Sequence, residues 1–229
     1  MPVINDDEFG KVVVRRSARA SQVRLRVAPD GTLRASLPLY APLFLVKRLI
    51  KSSREQLREM QKQSSEQHDY RHGMQIGKSH HIEVRLAPRV NITHHGRRIL
   101  VELPKGKTIH DGYVTQKVKE AVAAALRLEA KSYLPRRLAH LAEEHGYSYE
   151  RVRFSHASGR WGSCSSNGTI SLNIALMKLP FELIDYVIIH ELAHTKEMNH
   201  SHAFWHLVGK ADPAYQAHRK ELREHTPSI

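Results

Sequence analysis

The feature that most constrains this chain is a largely apolar run from Leu183, interrupted by Asp185, that ends in His190-Glu191-Leu192-Ala193-His194. A run this apolar predicts a buried helix starting near Phe181, with Pro180 at its opening. Residues four apart on a helix stack on one face, so both imidazoles address one point, and Glu191 projects from the neighbouring position toward the same opening. Buried polar groups need partners, and a metal ion supplies them. The H-E-x-x-H spacing therefore points to a zinc ion held by His190 and His194, with Glu191 as general base.

A hydrolytic zinc site needs a third protein ligand and an open position. His200, six residues after His194, stands where a chain that leaves its helix and turns back completes a three-histidine set. The metzincin pattern makes that turn with a glycine three residues after the second histidine. Here Glu197 occupies that place, leaving Asn199 as the residue expected to take a left-handed conformation. His202 and His206, four apart on a further helix from Ser201 to about Gly209, form a competing pair. Asn199 or Ser201 would cap that helix.

Around this segment the chain reads as α+β, a β-rich N-terminal half with antiparallel hairpins (1–104) followed by a helix-rich, zincin-like half (105–229). Val12 to Val14, Val23 to Val27 and Leu33 to Leu37 predict strands, with a turn at Pro29-Asp30-Gly31 and one arginine-bearing face. Leu43 to about Met60 predicts a helix, and Gln61 to Arg71 a linker or frayed turn. Ile82 to Leu86 and Ile99 to Leu103 predict strands about a turn at His95-Gly96. Tyr113 to Glu144 is helical in pattern, with Pro135 expected to kink or divide it. Short strands follow at Val152 to Phe154 and Thr169 to Asn173.

The composition bounds the function. With 229 residues and 41% hydrophobic content, the chain can bury a core. No stretch approaches the roughly 20 apolar residues that span a bilayer, and Met1 to Gly10, with Asp6, Asp7 and Glu8, lacks the pattern of a secretory signal; a cytoplasmic protein with no membrane partner is the expectation. Cys164 is the single cysteine, which excludes an internal disulfide. It reads as a small buried hydrophobe, and Trp161 and Trp205 as packing anchors. The net charge of +13 is spread in pairs such as Arg15-Arg16, Lys47-Arg48, Arg97-Arg98 and Arg136-Arg137. It is either a solvated surface or a surface for nucleic acid or another acidic partner.

Arg160-Trp161-Gly162-Ser163-Cys164-Ser165, Leu172-Asn173, Leu179-Pro180, Asp185-Tyr186-Val187, His190 to His194, Met198-Asn199-His200-Ser201 and Phe204-Trp205 together resemble the YgjP-like metallopeptidases, relatives of the SprT-like zinc proteases. Arg16 to Arg19 and Asp30-Gly31 extend the resemblance toward the N-terminus. Gly159 and His202 depart from it, where the family usually has serine and proline or lysine. The resemblance implies one zinc per chain on His190, His194 and His200, Glu191 as catalytic base, and a peptide or protein substrate. Arg160, Tyr186 or a nearby histidine would help stabilise the oxyanion, and the Thr169 to Asn173 strand would offer an edge for an extended peptide. The competing reading is a basic nucleic-acid-associated protein whose metal is structural, with His206 or Cys164 as fourth ligand.

Overall fold

The structure, a computed structural model, describes residues 3–18, 20–27, 32–66, 69–157 and 159–229, with the backbone alone over 61–66. The turn expected at Pro29-Asp30-Gly31, and Arg19, lie outside the described residues. The architecture is α+β, divided into two compact units, Met1–Asp69 and Tyr70–Ile229. The unit boundary thus precedes the 104/105 division read from the sequence. The strands between 75 and 103 share a core with the helix that follows them: Ile82, Ile99, Val101 and Leu103 pack with Val118, Val122 and Leu126.

In the first unit, β1 (Val3–Asp6), β2 (Gly10–Ser17), β3 (Arg24–Val27) and β4 (Leu33–Pro38) form one sheet in the order β1-β2-β4-β3. Alternation decides its buried face: Val12 and Val14 on β2 and Leu33, Ala35 and Leu37 on β4 point into the core. Arg24, Arg26 and Arg34 point to solvent on the antiparallel β3–β4 pair, the expected arginine face. β2 and β4, by contrast, are parallel. The predicted single helix is two, α1 (Phe44–Ser52) and α2 (Arg54–Glu66), broken at Ser53, and α2 runs on through much of the stretch read as a linker. Leu57, at 2% exposure, fastens α2 to the same core as Val46 and Ile50 of α1.

The second unit is built round α3 (Gly112–Glu144), a helix of 33 residues that passes through Pro135 without dividing. Proline removes the hydrogen bond to the carbonyl four residues back, that of Lys131. Lys131 is exposed, and water can solvate that carbonyl, while Leu134 and Leu138 on either side are fully buried and hold both halves to the core. One sheet, β5 (Gln75–Ile76), β6 (His80–Leu86), β8 (Arg98–Leu103) and β7 (Asn91–His95), packs against it. β7 was not read from the sequence. It pairs antiparallel with β8 through a turn at Gly96, whose φ of 60° suits glycine, and its presence makes β6 and β8 parallel.

Glu129 anchors this packing. Buried on α3, it accepts hydrogen bonds from the backbone N–H groups of Lys78 (2.7 Å), Ser79 (2.8 Å) and His80 (3.2 Å), and its Oε1 lies 2.7 Å from His80 Nδ1. Burial pushes the carboxyl pKa up, but the hydrogen bonds from Lys78, His80 and Ser79 outweigh it and hold the pKa below its ordinary value. Removing the carboxylate strands several buried donors. Glu129→Ala is expected to destabilise the protein by about 3 kcal/mol, read as a lower urea midpoint at unchanged slope.

A third sheet, β10 (Gly162–Cys164), β11 (Thr169–Asn173) and β9 (Arg151–Ser155), leads through a short 3₁₀ turn at Ile174–Lys178 into α4 (Phe181–Ala193). α4 is buried along most of its length. Asp185 forms a bidentate ion pair with Arg137 of α3, at 2.7 and 2.8 Å, so a charge within the apolar run is matched. α5 (His202–Ala211) and α6 (Tyr215–Leu222) complete the unit. No described helix is long and apolar enough to cross a membrane.

Candidate metal centre

The site lies where α4 ends. His190 and His194 project from its last turn, and the chain then leaves the helix through bonds from Lys196 N and Glu197 N to Ala193 O before returning at His200. No described non-glycine residue has a positive φ, so Asn199 does not take the expected left-handed conformation. The reversal is spread over several residues, and Ser201 N closes it on Asn199 O at 2.8 Å. Ser201 caps α5, its side chain accepting from Phe204 N. This sets the fully buried Phe204 ring 4.5 to 4.9 Å from the three imidazoles as their floor.

The ligand atoms of His190, His194 and His200 all lie within 4.8 Å of one another. His190 Nε2 and His200 Nε2 are 3.1 Å apart, close to the roughly 3.3 Å between two nitrogens sharing one tetrahedral zinc. His194 Nδ1 lies 3.1 Å from the Glu197 carbonyl; a proton donated there leaves Nε2 as the lone-pair nitrogen. Burial lowers the pKa of His190 to about 3, with the charges of His194 and His200 adding to the effect, and burial also lowers that of His194. Three imidazoles whose nitrogens converge on one point are what a zinc ion requires, so these residues fit one. His202 and His206 are exposed on α5 and stand outside this group, as does Cys164.

Glu191, next to His190 on α4, is only 5% exposed, and its Oε2 has no hydrogen-bond partner among the described residues. Burial raises its pKa to about 8, opposed by the positive charge of Arg160. The carboxylate fits because residue 162 is glycine: a Cβ there would stand 2.5 Å from Oε1 and 2.7 Å from Cγ. Glycine inside a strand signals close approach, and this one was legible in the sequence but not read. Gly162→Ala is therefore expected to push Glu191 aside, lowering peptide cleavage about 10²-fold while metal content stays the same.

Asn173 holds β10 in place and was not singled out from the sequence as a positioning residue. Fully buried, it donates to the carbonyls of Ala157 (2.7 Å) and Arg160 (2.9 Å), and its backbone N–H bonds Trp161 O at 2.8 Å. β11, proposed above as a peptide-binding edge, is the middle strand of its sheet, paired with β10 on one side and β9 on the other. Its hydrogen-bonding groups are occupied by both neighbours, and the edge nearest Glu191 is β10. Tyr186 is buried behind His190, and burial raises its pKa to about 12. Cys164 is half-buried, its thiol pKa raised by burial and by the charge of Glu191, opposite to an activated nucleophile.

Residues 21–225 match the YgjP-like metallopeptidase domain. The chain belongs to that family. The YgjP-like match spans both units, and with it the protein is a metallopeptidase by family. The chain is also similar to a solved structure described as the metallopeptidase zymogen abylysin of Pyrococcus abyssi, at 30% identity over 39% of this chain and 92% of the other, with a TM-score of 0.36. No curated protein matches it.

Proposed function

We propose that this protein is a zinc-dependent peptidase that hydrolyses peptide bonds with Glu191 as general base. The observation that carries the reading is the convergence of three imidazoles beside a buried carboxylate whose Oε2 has no hydrogen-bond partner among the described residues. His190, His194 and His200 would hold the ion through Nε2. A zinc ion bound there supplies Lewis-acid activation of a water and of the substrate carbonyl.

The chain's own residues do the rest. Glu191 takes the proton of the attacking water and returns it to the departing amine, and its tendency to stay protonated while buried suits the second step. The Glu197 carbonyl keeps His194 in one tautomer, and Phe204 fixes the planes of all three rings. Arg160, exposed and close enough to influence Glu191, is the better of the suggested oxyanion helpers, since Tyr186 is packed away behind His190. An extended peptide would add to the open side of β10, which brings its backbone past Gly162 and Glu191.

A structural metal in a nucleic-acid-binding protein would need a fourth protein ligand, and neither His206 nor Cys164 joins the three histidines among the described residues. Casein digestion by the zinc-loaded protein, with and without a chelator, tests the reading. Cleavage that the chelator stops supports it, and cleavage that the chelator leaves untouched contradicts it.

A further inference from the structure

Beside the metal centre, α5 and α6 enclose a cleft of about 390 Å³ lined by His202, Trp205, Tyr215, Arg219, Lys220 and Arg223, with no acidic residue in its wall. It adjoins the site directly, because the Trp205 ring stacks on His200 with centroids 5.7 Å apart and planes at 23°. Three cations therefore converge within one side chain of a candidate ligand. None of the three makes an ion pair among the described residues, and Arg219 lies over Trp205 at 4.4 Å, which holds its guanidinium at the cleft.

We infer that this cleft is a specificity subsite that takes a carboxylate of the peptide substrate, adjacent to the bond being cut. The inference rests on the peptidase reading. Arginine forks match a carboxylate with paired hydrogen bonds, and a cationic wall without acidic residues has no internal partner for them. The aromatic rings point away from a nucleic-acid role. Trp205 is already stacked by His200, Tyr215 (5.6 Å, 18°) and Arg219, so its faces are taken up within the protein and a nucleobase finds little platform there. The carboxylate can come from an aspartate or glutamate side chain or from the C-terminus of the peptide.

The test is binding to the zinc-loaded Glu191→Gln protein, which separates recognition from turnover. Fluorescent peptides carrying Glu, Gln or Lys at successive positions are compared, each with a free and an amidated C-terminus. The Glu peptide is expected to bind about tenfold or more tighter than its Lys counterpart at one position, with the preference falling as salt is added. A carboxylate from the terminus shows instead as a loss of binding on amidation that is the same for the Glu, Gln and Lys peptides, whereas a side-chain carboxylate shows as a preference for Glu that survives amidation. Arg223→Glu should invert the preference toward the Lys peptide, which a merely structural role for Arg223 would not produce. Equal binding of the Glu and Lys peptides together with no loss on amidation overturns the inference, as does a single-stranded oligonucleotide that binds more tightly and depends on the same arginine. Failure of the peptidase reading shows separately, as absence of cleavage by the wild-type protein.

Discussion

Glu191→Gln lowers peptide cleavage by about 10²- to 10⁴-fold while zinc content stays at the wild-type level, because the substitution removes the proton acceptor and leaves the three imidazoles in place. The metal-free protein offers a second reading of the same residue. Burial raises the pKa of Glu191 from its ordinary value to about 8. Between pH 4.5 and 8 the folded protein keeps a proton that the unfolded chain has lost, so this group's contribution to stability declines as pH rises through that window. Glutamine does not titrate. The stability difference between Glu191→Gln and wild type, both metal-free, should therefore widen in favour of the variant from pH 4.5 to 8 and level off above. Its full size is on the order of 5 kcal/mol, measured by urea unfolding. A cation at the three histidines favours the ionised carboxylate, and the trend should shrink when zinc is restored.

The second large effect concerns the ligands. His194→Ala removes one of three imidazoles that converge, and no other described histidine belongs to the group. Structural zinc sites with four ligands are worth about 10–16 kcal/mol, or roughly 3 kcal/mol a ligand. Zinc affinity should then fall by about 10²-fold or more, and cleavage with it. His200→Ala should do the same, whereas His202→Ala and His206→Ala should leave zinc affinity unchanged. Titration against a competing chelator measures all four. A loss of affinity in His206→Ala equal to that in His200→Ala would mean that α5 supplies the third ligand.

The sequence was most legible where one periodicity covered a whole element. The start of α4 could be placed because Pro180 opens an apolar run, and its H-E-x-x-H spacing has one geometric reading. The strand alternation of β4 and β8 was equally plain. What escaped depended on partners distant in the chain. β7, with Asn91, Thr93 and two histidines, lacks an apolar signature, and its absence from the reading turned the parallel pairing of β6 and β8 into an apparent hairpin. Pro135 looked like a divider because its local cost is visible in sequence, while the burial of Leu134 and Leu138 that offsets it is not. Thr169 to Asn173 was seen as a strand, but which side of it was open depended on the three-residue strand β10, too short to announce itself.

The same division holds within the site. His190, Glu191 and His194 follow from one helix, and the geometric group that includes His200 rather than His202 or His206 follows from the cap at Ser201 and the burial of Phe204. The raised pKa of Glu191 could not be read locally, since it comes from the fold closing over the residue with Gly162 against it. The +13 charge also takes on a location. Arg15, Arg16, Lys47, Arg48, Arg97 and Arg98 are dispersed on the surface, whereas Arg219, Lys220 and Arg223 gather at one cleft beside the centre.

The central claim is that the three histidines hold a catalytic zinc. Elemental analysis of the purified protein, with casein cleavage followed on the same sample before and after chelation, tests it most directly. The account predicts one zinc per chain, and cleavage that disappears with the metal and returns when zinc is added back. Protein that holds no divalent metal, or that cleaves equally well once stripped of it, would contradict the account.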